Sequence, residues 1–309
     1  MMNPSPQTAV TLTLLATFFW GSNFQATKIA LESIPPWTAS VERFLIAVIA
    51  IMAVMVYKGA FRREILAKNL TAFIVLGIVG VAGFNGALFV GLQTSNPITA
   101  ALIMATTPIS ANIVEALINK KRPDFLRVLG MAISLLGVAL VVTNGQIVSG
   151  HISFAFGDLV ILAGSIAWAV YTVGTRVFVS DSTPLETTAW TMLFGTIGLG
   201  VMAFAVEVPI ADMQSGSSLS HLACLYMGIA GSVLAYLFWN VGVATRGPGK
   251  TSIFFNFVPV FALVVAAVLG QLPSAIQLLG VFVTICGVLI AQGQITSWMA
   301  QSRRSNQVT

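Results

Sequence analysis

The sequence predicts an all-α membrane protein with ten transmembrane helices in two inverted five-helix repeats, with both termini cytoplasmic. Composition is the first observation behind this fold class. The 309 residues are 57% hydrophobic and only 8% charged, whereas soluble domains contain about 25% charged residues. So few charged side chains cannot cover a water-soluble protein of this size. Composition therefore excludes a soluble enzyme and an ordinary nucleic-acid binder, and favours a multi-span membrane protein.

Ten apolar segments are the second observation. Each has roughly 20 residues, the length that a helix needs to cross about 30 Å of hydrocarbon. The predicted spans are residues 9–30, 37–57, 71–93, 97–118, 125–143, 157–179, 185–206, 219–243, 249–269 and 275–295. The connections are too short to hold a soluble domain, and residues 296–309 form a predicted cytoplasmic tail.

The distribution of charge predicts the orientation. If the spans alternate in direction, thirteen of the fifteen lysines and arginines fall on one side of the membrane. They are Lys58, Arg62, Arg63, Lys68, Lys120, Lys121, Arg122, Arg127, Arg176, Arg246, Lys250, Arg303 and Arg304. Lysine and arginine concentrate in cytoplasmic loops, so both termini are expected in the cytoplasm.

An internal repeat is the third observation. Residues of the first half recur in order in the second half, at offsets of 148 to 151 positions. The matched pairs include Trp20 with Trp168, Pro36 with Pro184, Gly80 with Gly228, Pro97 with Pro248 and Pro108 with Pro259. The halves, residues 9–143 and 157–295, each contain five spans, so the second enters the membrane from the opposite side. Inverted repeats of this kind are the architecture of many secondary transporters.

Several motifs resemble the drug/metabolite transporter superfamily. They are residues 20–24 (WGSNF), Pro35-Pro36-Trp37 followed by Glu42-Arg43-Phe44, and Asn96-Pro97 with Pro108 and Glu115. Each half is similar to an EamA-type unit, and the overall character is most similar to the YddG-type aromatic amino acid exporters. The resemblance covers about residues 9–295. It implies ten helices around a central cavity, export of amino acids or related metabolites, and no cofactor.

Two prolines are the first candidates for a substrate site. Pro108 and Pro259 lie near the middle of their spans and match each other under the repeat. A proline inside a helix removes a backbone hydrogen bond and kinks the helix, and paired interruptions in corresponding spans point to transporter sites. We expect spans four and nine to line the pathway at these kinks. The alternative is a kink that serves only packing.

Amide and aromatic side chains within the spans are the next candidates. A buried amide needs hydrogen-bond partners, which a neighbouring helix or a substrate can provide. Aromatic walls with a few polar groups suit an amphipathic aromatic solute, although ordinary helix packing uses the same residues. The predicted substrate-binding residues are Trp20, Asn23, Phe84, Asn85, Pro108, Asn112, Trp168, Tyr171, Asn256 and Pro259.

Three charged residues are candidates for gating or charge contact. Glu42 and Arg43 lie roughly 10 Å inside span two, where charges are rare and usually paired or functional. Lys28 lies near the outer end of span one, where it can meet Glu42 or extend into water. The pattern predicts either an external gate, whose cation contacts a substrate carboxylate, or a structural ion pair.

The sequence also lacks motifs that other activities require. It has no Walker phosphate loop, so we expect no direct drive by ATP. It has no His/Cys/carboxylate cluster and no nucleophile with an evident base, so we expect no metal site and no enzyme activity. We predict a plasma-membrane (bacterial inner-membrane) exporter of amino acids, with aromatic ones favoured. The alternatives are an exporter of other small metabolites or cationic drugs, or a channel. The expected partners are a small-molecule substrate and the lipid bilayer, not nucleic acid; the sequence leaves the energy source and the oligomeric state open.

Overall fold

A computed structural model describes residues 4–95, 97–120, 123–145 and 155–293. These residues are almost entirely helical. The helices are α1 (Pro6–Ala30), α2 (Pro36–Tyr57), α3 (Arg63–Val75), α4 (Phe84–Leu92), α5 (Pro97–Ala105), α6 (Thr107–Asn119), α7 (Phe125–Thr143), α8 (Phe156–Val177), α9 (Pro184–Val206), α10 (Pro209–Ser215), α11 (Ser218–Tyr226), α12 (Ala235–Arg246), α13 (Pro248–Ser252), α14 (Phe257–Val268) and α15 (Ala275–Ala291). A π-helical segment joins α3 to α4 and another joins α11 to α12, and a 3-10 segment joins α13 to α14.

Eight helical runs in the described ranges are long and apolar enough to cross a membrane. They correspond to the second through ninth predicted spans. The first predicted span is helix α1, which has 25 residues but a lower hydropathy because Ser22, Asn23 and Gln25 interrupt its second half. The tenth is α15, which has 17 described residues. The predicted tail at 296–309 lies outside the described residues.

Helices α2 and α9 lie antiparallel, because the C-terminal end of each helix lies next to the N-terminal end of the other. Arg62, which follows α2, contacts Glu186 in the first turn of α9. Glu207, which follows α9, contacts Thr38 in the first turn of α2. We call the end with Arg62 and Glu186 the basic end of the molecule and the end with Thr38 and Glu207 the acidic end.

Both prolines that the sequence marks as kinks directly follow a break in the helix. Thr106 separates α5 from α6, and Pro108 lies in the first turn of α6. The 3-10 segment Ile253–Asn256 separates α13 from α14, and Pro259 follows it. The breaks occur where the sequence predicts kinks, because proline has no backbone N–H with which to continue the preceding helical turn.

The two π-helical segments correct the register of the internal repeat. They begin 151 positions apart, so Gly80 corresponds to Gly231 and not to Gly228. Their contacts agree with this register. A Cβ atom on Gly80 would collide with Tyr171, and one on Gly231 would collide with Asn23, at the equivalent positions of α8 and α1. The extra residues of the second half therefore enter before the π segment, and the glycines allow close approach in both halves.

Helices α7 and α15, the last of each repeat, pack backbone against backbone. Gly130 and Gly137 of α7 face Gly287 and Gly280 of α15, and at each of the four a Cβ atom would collide with main-chain atoms of the other helix. Small residues at these positions allow close van der Waals contact, which stabilises helix pairs in lipid.

The glycine contact can be tested with one methyl group. In Gly280→Ala the new carbon lies 2.8 Å from the Gly137 carbonyl oxygen and 2.8 Å from the Val141 nitrogen, so the helices must separate. We expect a loss of about 1–3 kcal/mol, typical of overpacking, measured as a lower melting temperature of the purified protein in detergent. Gly200→Ala is the control, since nothing lies within 4 Å of its Cβ position. Equal melting temperatures for the two variants would contradict the packing argument.

Candidate functional site

Seven aromatic side chains from both repeats meet in the interior and form what we call the aromatic cluster. Its members are Trp20, Phe84, Trp168, Tyr171, Tyr236, Trp239 and Phe255. The Trp168 ring lies at the centre of the group, with its centroid 5.0 to 6.2 Å from those of the other six rings. The cluster therefore brings together α1, α4, α8, α12 and the 3-10 segment.

The repeat explains the centre of this cluster. Trp20 and Trp168 occupy equivalent positions of α1 and α8, and their rings meet edge to face at 5.4 Å. Trp168 and Tyr171 share one face of α8, as their i, i+3 spacing predicts, and their rings stack at 5.0 Å with an interplanar angle of 17°. Trp168 and Tyr171 are fully buried, and Trp20 is partly buried.

Hydrogen bonds orient three polar side chains in and beside the cluster. Trp20 Nε1 donates to the carbonyl oxygen of Gly231 at 3.0 Å. Asn240 Nδ2 donates to the Tyr171 hydroxyl and to Thr188 Oγ1, both at 2.9 Å. Asn85 Nδ2 donates to the carbonyl oxygen of Val81 at 2.7 Å and approaches the Tyr236 hydroxyl at 3.5 Å. The cluster thus combines flat apolar rings with a small number of fixed polar groups.

Three buried polar atoms in and beside the cluster have no protein partner in the described part of the chain. They are Asn23 Oδ1, Trp168 Nε1 and Asn240 Oδ1. Leaving a buried polar group unpaired costs about 1–3 kcal/mol. A polar solute that offers a donor to each amide oxygen and an acceptor to the indole N–H would remove this cost.

Two clefts approach the aromatic cluster. One, of about 70 Å³, lies at the basic end and is lined by Arg176, Thr187 and Asn240 among others. The other, of about 20 Å³, lies toward the acidic end and is lined by Ser40 and Arg43 among others. The resemblance implies one central cavity, whereas here packed aromatic rings occupy the space between the clefts.

The position of the cluster between the clefts follows from one helical run. Gly231, the partner of Arg43, and Asn240 are nine residues apart on Ser218–Arg246, about 13 Å along the axis. Tyr236 and Trp239 come between them and belong to the cluster. A solute that crosses from one cleft to the other must therefore displace aromatic rings.

At the basic end, hydrogen bonds join the two repeats in what we call the basic clamp. Arg62 donates to Glu186 through Nε at 2.8 Å and Nη2 at 2.5 Å, and this contact raises the pKa of Arg62 above its usual value. Lys68 binds Asp181 at 2.5 Å and lowers the pKa of that carboxyl group. Asn69 exchanges two hydrogen bonds with the backbone of Ser180.

The acidic end is joined by a different set of contacts, which we call the acidic clamp. Glu207 accepts hydrogen bonds from the backbone nitrogens of Trp37 at 3.1 Å and Thr38 at 2.7 Å. The Thr38 hydroxyl lies 2.8 Å from Glu207 and 3.0 Å from Asp212. Pro35, the residue at the N-cap of α2, makes no side-chain capping bond, so Glu207 of the other repeat satisfies the free amides of this helix.

The predicted charged residues have partners that the sequence does not reveal. Glu42 Oε1 contacts His221 Nδ1 at 2.7 Å. Of the two alternatives for Lys28, the contact with Glu42 is therefore not found, and the Lys28 side chain is exposed. Arg43 Nε donates to Ser232 Oγ at 2.8 Å, and its Nη2 donates to the Gly231 carbonyl oxygen at 3.3 Å.

Two predicted amides lie outside the aromatic cluster. Asn112 Nδ2 donates to the Pro108 carbonyl at 2.8 Å and to the Gly249 carbonyl at 3.2 Å. Asn256 Nδ2 donates to Ser134 Oγ at 2.6 Å. These bonds join helices beside the two breaks, and roles for Asn112, Asn256, Pro108 and Pro259 in substrate binding stay predictions.

Four residues at the site are not among the predicted ones. They are Tyr236, Trp239, Asn240 and Phe255. The i, i+3, i+4 spacing of the first three places them on one face of α12, which is a signal in the sequence, but only the packing of α12 against α8 and α1 turns that face toward Trp168.

Comparison with known proteins now identifies the family. Residues 7–143 and 155–292 each match the EamA-like transporter family. The uncharacterized transporter YyaM of Bacillus subtilis (strain 168) is 35% identical over 90% of this chain and 92% of its own length. A protein of Streptantibioticus cattleyicolor described as a "probable terminal-alkyne amino-acid exporter" is 25% identical over 91% of this chain and 92% of its own.

A solved crystal structure has the same fold. It superimposes with a TM-score of 0.77 at 20% identity and covers 93% of this chain and 98% of its own. The fold, the two matched repeats and the relatives agree. The chain therefore belongs to the EamA-like transporter family, and it is an all-helical multi-pass membrane transporter and not an enzyme.

Proposed function

We propose that this protein is a secondary transporter that exports amino acids, aromatic ones in particular, across the plasma membrane by alternating access. The observation that carries the proposal is the aromatic cluster together with three buried polar atoms in and beside it, Asn23 Oδ1, Asn240 Oδ1 and Trp168 Nε1, which have no partners among the described residues. An amino acid offers ammonium donors for amide oxygens and a carboxylate that can accept from N–H groups. The relative described as an amino-acid exporter supports the same class of substrate.

The preference for an aromatic side chain rests on ring geometry. Favourable aromatic pairs have centroids 4.5–7 Å apart and contribute about 0.5–1.5 kcal/mol beyond the burial of their area. The contacts around Trp168 all fall within this range of distances. A substrate ring that enters the cluster can exchange one such contact for another, whereas an aliphatic side chain cannot.

Transport by purified protein in liposomes tests the proposal. We expect saturable uptake of labelled tryptophan and phenylalanine, faster when unlabelled substrate is trapped inside, and weak uptake of leucine. Trp168→Phe keeps a ring but removes the unpaired N–H, and we expect about a tenfold loss of affinity, as for one buried hydrogen bond. Trp190→Phe is the matched control, because Trp190 is a buried indole with an unpaired N–H that packs on Phe61 outside the cluster.

The outcomes of this experiment separate the alternatives. Uptake no greater than in empty liposomes would overturn the aromatic assignment. Flux that rises linearly with solute, without acceleration by trapped substrate, would favour a channel. Equal losses in Trp168→Phe and Trp190→Phe would place the substrate elsewhere.

The two clamps are the proposed gates of the alternating-access cycle. Each joins the segment after one helix of the α2–α9 pair to the first turn of the other helix, so each connects both repeats. Opening the basic end requires release of Glu186 from Arg62, and opening the acidic end requires release of the α2 amides from Glu207. The contacts of both clamps are made in this structure, and in the cycle that we propose this arrangement is the occluded state.

Loss of the basic clamp should expose the cleft behind it. Thr187 lines that cleft and is only 5% exposed. In a background with Cys224 and Cys286 replaced by alanine, Arg62→Gln should raise the rate at which Thr187→Cys reacts with an aqueous maleimide about threefold or more. Lys68→Gln should change the rate less, because the Lys68–Asp181 pair is exposed on both sides. An unchanged rate in Arg62→Gln would contradict the gate.

We infer that the basic end faces the cytoplasm, because lysine and arginine concentrate in cytoplasmic loops. Lys58 and Gln214 are exposed residues at the basic and acidic ends. In intact cells, a membrane-impermeant maleimide should label Gln214→Cys and should label Lys58→Cys only after permeabilisation. The reverse pattern would overturn the orientation and, with it, the assignment of the two gates to sides of the membrane.

A further inference from the structure

Arg43 has a positive charge inside helix α2 without a carboxylate partner. The ion pairs in the described ranges are Arg62–Glu186, Lys68–Asp181, Arg127–Glu115 and His221–Glu42. The neighbouring carboxylate, Glu42, is thus engaged by His221 instead. A lone charge at membrane depth is costly and is usually paired or functional.

Neutral groups hold the Arg43 guanidinium in place on one side only. Ser232 Oγ accepts from Nε, the Gly231 carbonyl accepts from Nη2, and the guanidinium carbon lies 4.9 Å from the centroid of the Phe44 ring. No acceptor among the described residues bonds to Nη1. The hydrogen bonds of Nε and Nη2 orient the Arg43 side chain, and Nη1 can still donate a hydrogen bond to another group.

A second polar group without a partner lies in the same cleft. Ser40 Oγ is buried and has no hydrogen-bond partner in the described structure, and Ser40 is 3% exposed. Ser40 and Arg43 are three residues apart, so they share a face of α2, and both line the cleft toward the acidic end. A hydroxyl donor beside a guanidinium donor is a pair that matches the two oxygens of a carboxylate.

The repeat places this charge at one end of the pathway only. The residue equivalent to Arg43 in α9 is Thr191, whose hydroxyl bonds to the backbone of Thr187 at 2.7 Å and lies 3.4 Å from the Tyr171 hydroxyl. The basic-end half of the pathway therefore has a neutral hydroxyl where the acidic-end half has a cation. A charged group of a substrate is bound differently by the two halves.

We propose that Arg43 and Ser40 form a carboxylate-binding subsite, which rests on the proposed function and adds two donors for the substrate carboxylate to the N–H group of the aromatic cluster. The Gly231 carbonyl connects the two regions, since it accepts from both Arg43 Nη2 and Trp20 Nε1. Asn23, whose Oδ1 has no partner, also packs against Gly231. The α-carboxylate binds Arg43 and Ser40, the α-ammonium binds Asn23 Oδ1, and the side chain enters the cluster.

Matched pairs of ligands that differ in charge alone test the subsite. Binding of indole-3-acetate and indole-3-acetamide to the purified protein in detergent is measured by ligand-induced thermal stabilisation over a concentration series. In the wild type the carboxylate should bind about tenfold more tightly than the amide, as expected for one charge-assisted pair. Arg43→Gln should reduce this ratio to about one, and Ser40→Ala should reduce it about threefold.

Arg246→Gln is the matched control. Arg246 also lies over a phenylalanine ring, at 5.4 Å from the centroid of Phe254, and it bonds to Gln292 rather than to a carboxylate. This variant should keep the wild-type ratio. If Arg43→Gln does not fold, Arg43→Lys keeps the charge without the fork of donors, and it should bind the carboxylate more weakly than the wild type while still preferring it to the amide.

The outcomes distinguish the subsite from the proposed function. A wild-type ratio near one, no binding of either ligand, or a ratio unchanged in Arg43→Gln would overturn the subsite. Equal weakening of both ligands in Arg43→Gln would do so as well, because it would indicate a structural role. Failure of tryptophan transport together with an Arg43-dependent preference for indole-3-acetate would overturn the amino acid assignment and leave the carboxylate subsite in place.

Discussion

The carbonyl oxygen of Gly231 is the point at which the two repeats and the candidate site meet. It accepts hydrogen bonds from Trp20 of α1 and Arg43 of α2, both in the first repeat, while Gly231 itself lies in the π-helical segment of the second. Hydrocarbon supplies no hydrogen-bond partners, so irregular backbone at membrane depth is tolerated where protein groups satisfy it. The π segment meets this constraint with an indole and a guanidinium, and so fixes the positions of both.

The inverted repeat places a contact between α2 and α9 at both ends of the molecule, but the two contacts are made by different chemical groups. The basic clamp depends on an ion pair between side chains, with Arg62 half-exposed and Glu186 fully buried. The acidic clamp depends on a carboxylate that caps the first amides of a helix, where the helix dipole favours negative charge. Because the two clamps are made of different groups, the two halves need not open equally easily. In the proposed subsite, the difference between Arg43 and Thr191 likewise makes the two halves bind a charged substrate differently.

Much of the fold follows from the sequence, because span length and hydropathy reflect the thickness of the bilayer and proline marks helix breaks directly. The pairing of Trp20 with Trp168 and the shared face of Trp168 and Tyr171 follow from the repeat and from helical spacing. The partners of Glu42 and Asn112 do not, because the spacing within one helix does not determine which other helix packs against it. The register of Gly80 does not follow either, because the extra residues of the second half enter before the π-helical segment and the spacing of glycines alone does not locate them.

In the function that we propose, the substrate crosses through the aromatic cluster, and the packing of the rings limits how it can do so. Trp168 has six ring neighbours, so entry of a substrate ring must displace at least one of them, and the loss is small only if the substrate restores an equivalent contact. The unpaired polar atoms of Asn23, Asn240 and Trp168 also favour such a substrate. The free-energy cost of burying them unpaired is removed only when a solute with matching polar groups binds. A solute that satisfies both conditions lowers the energy of the rearranged cluster relative to the empty one. Coupling of substrate binding to ring displacement would then make opening of either clamp depend on the presence of substrate, which is the property that separates a carrier from a channel.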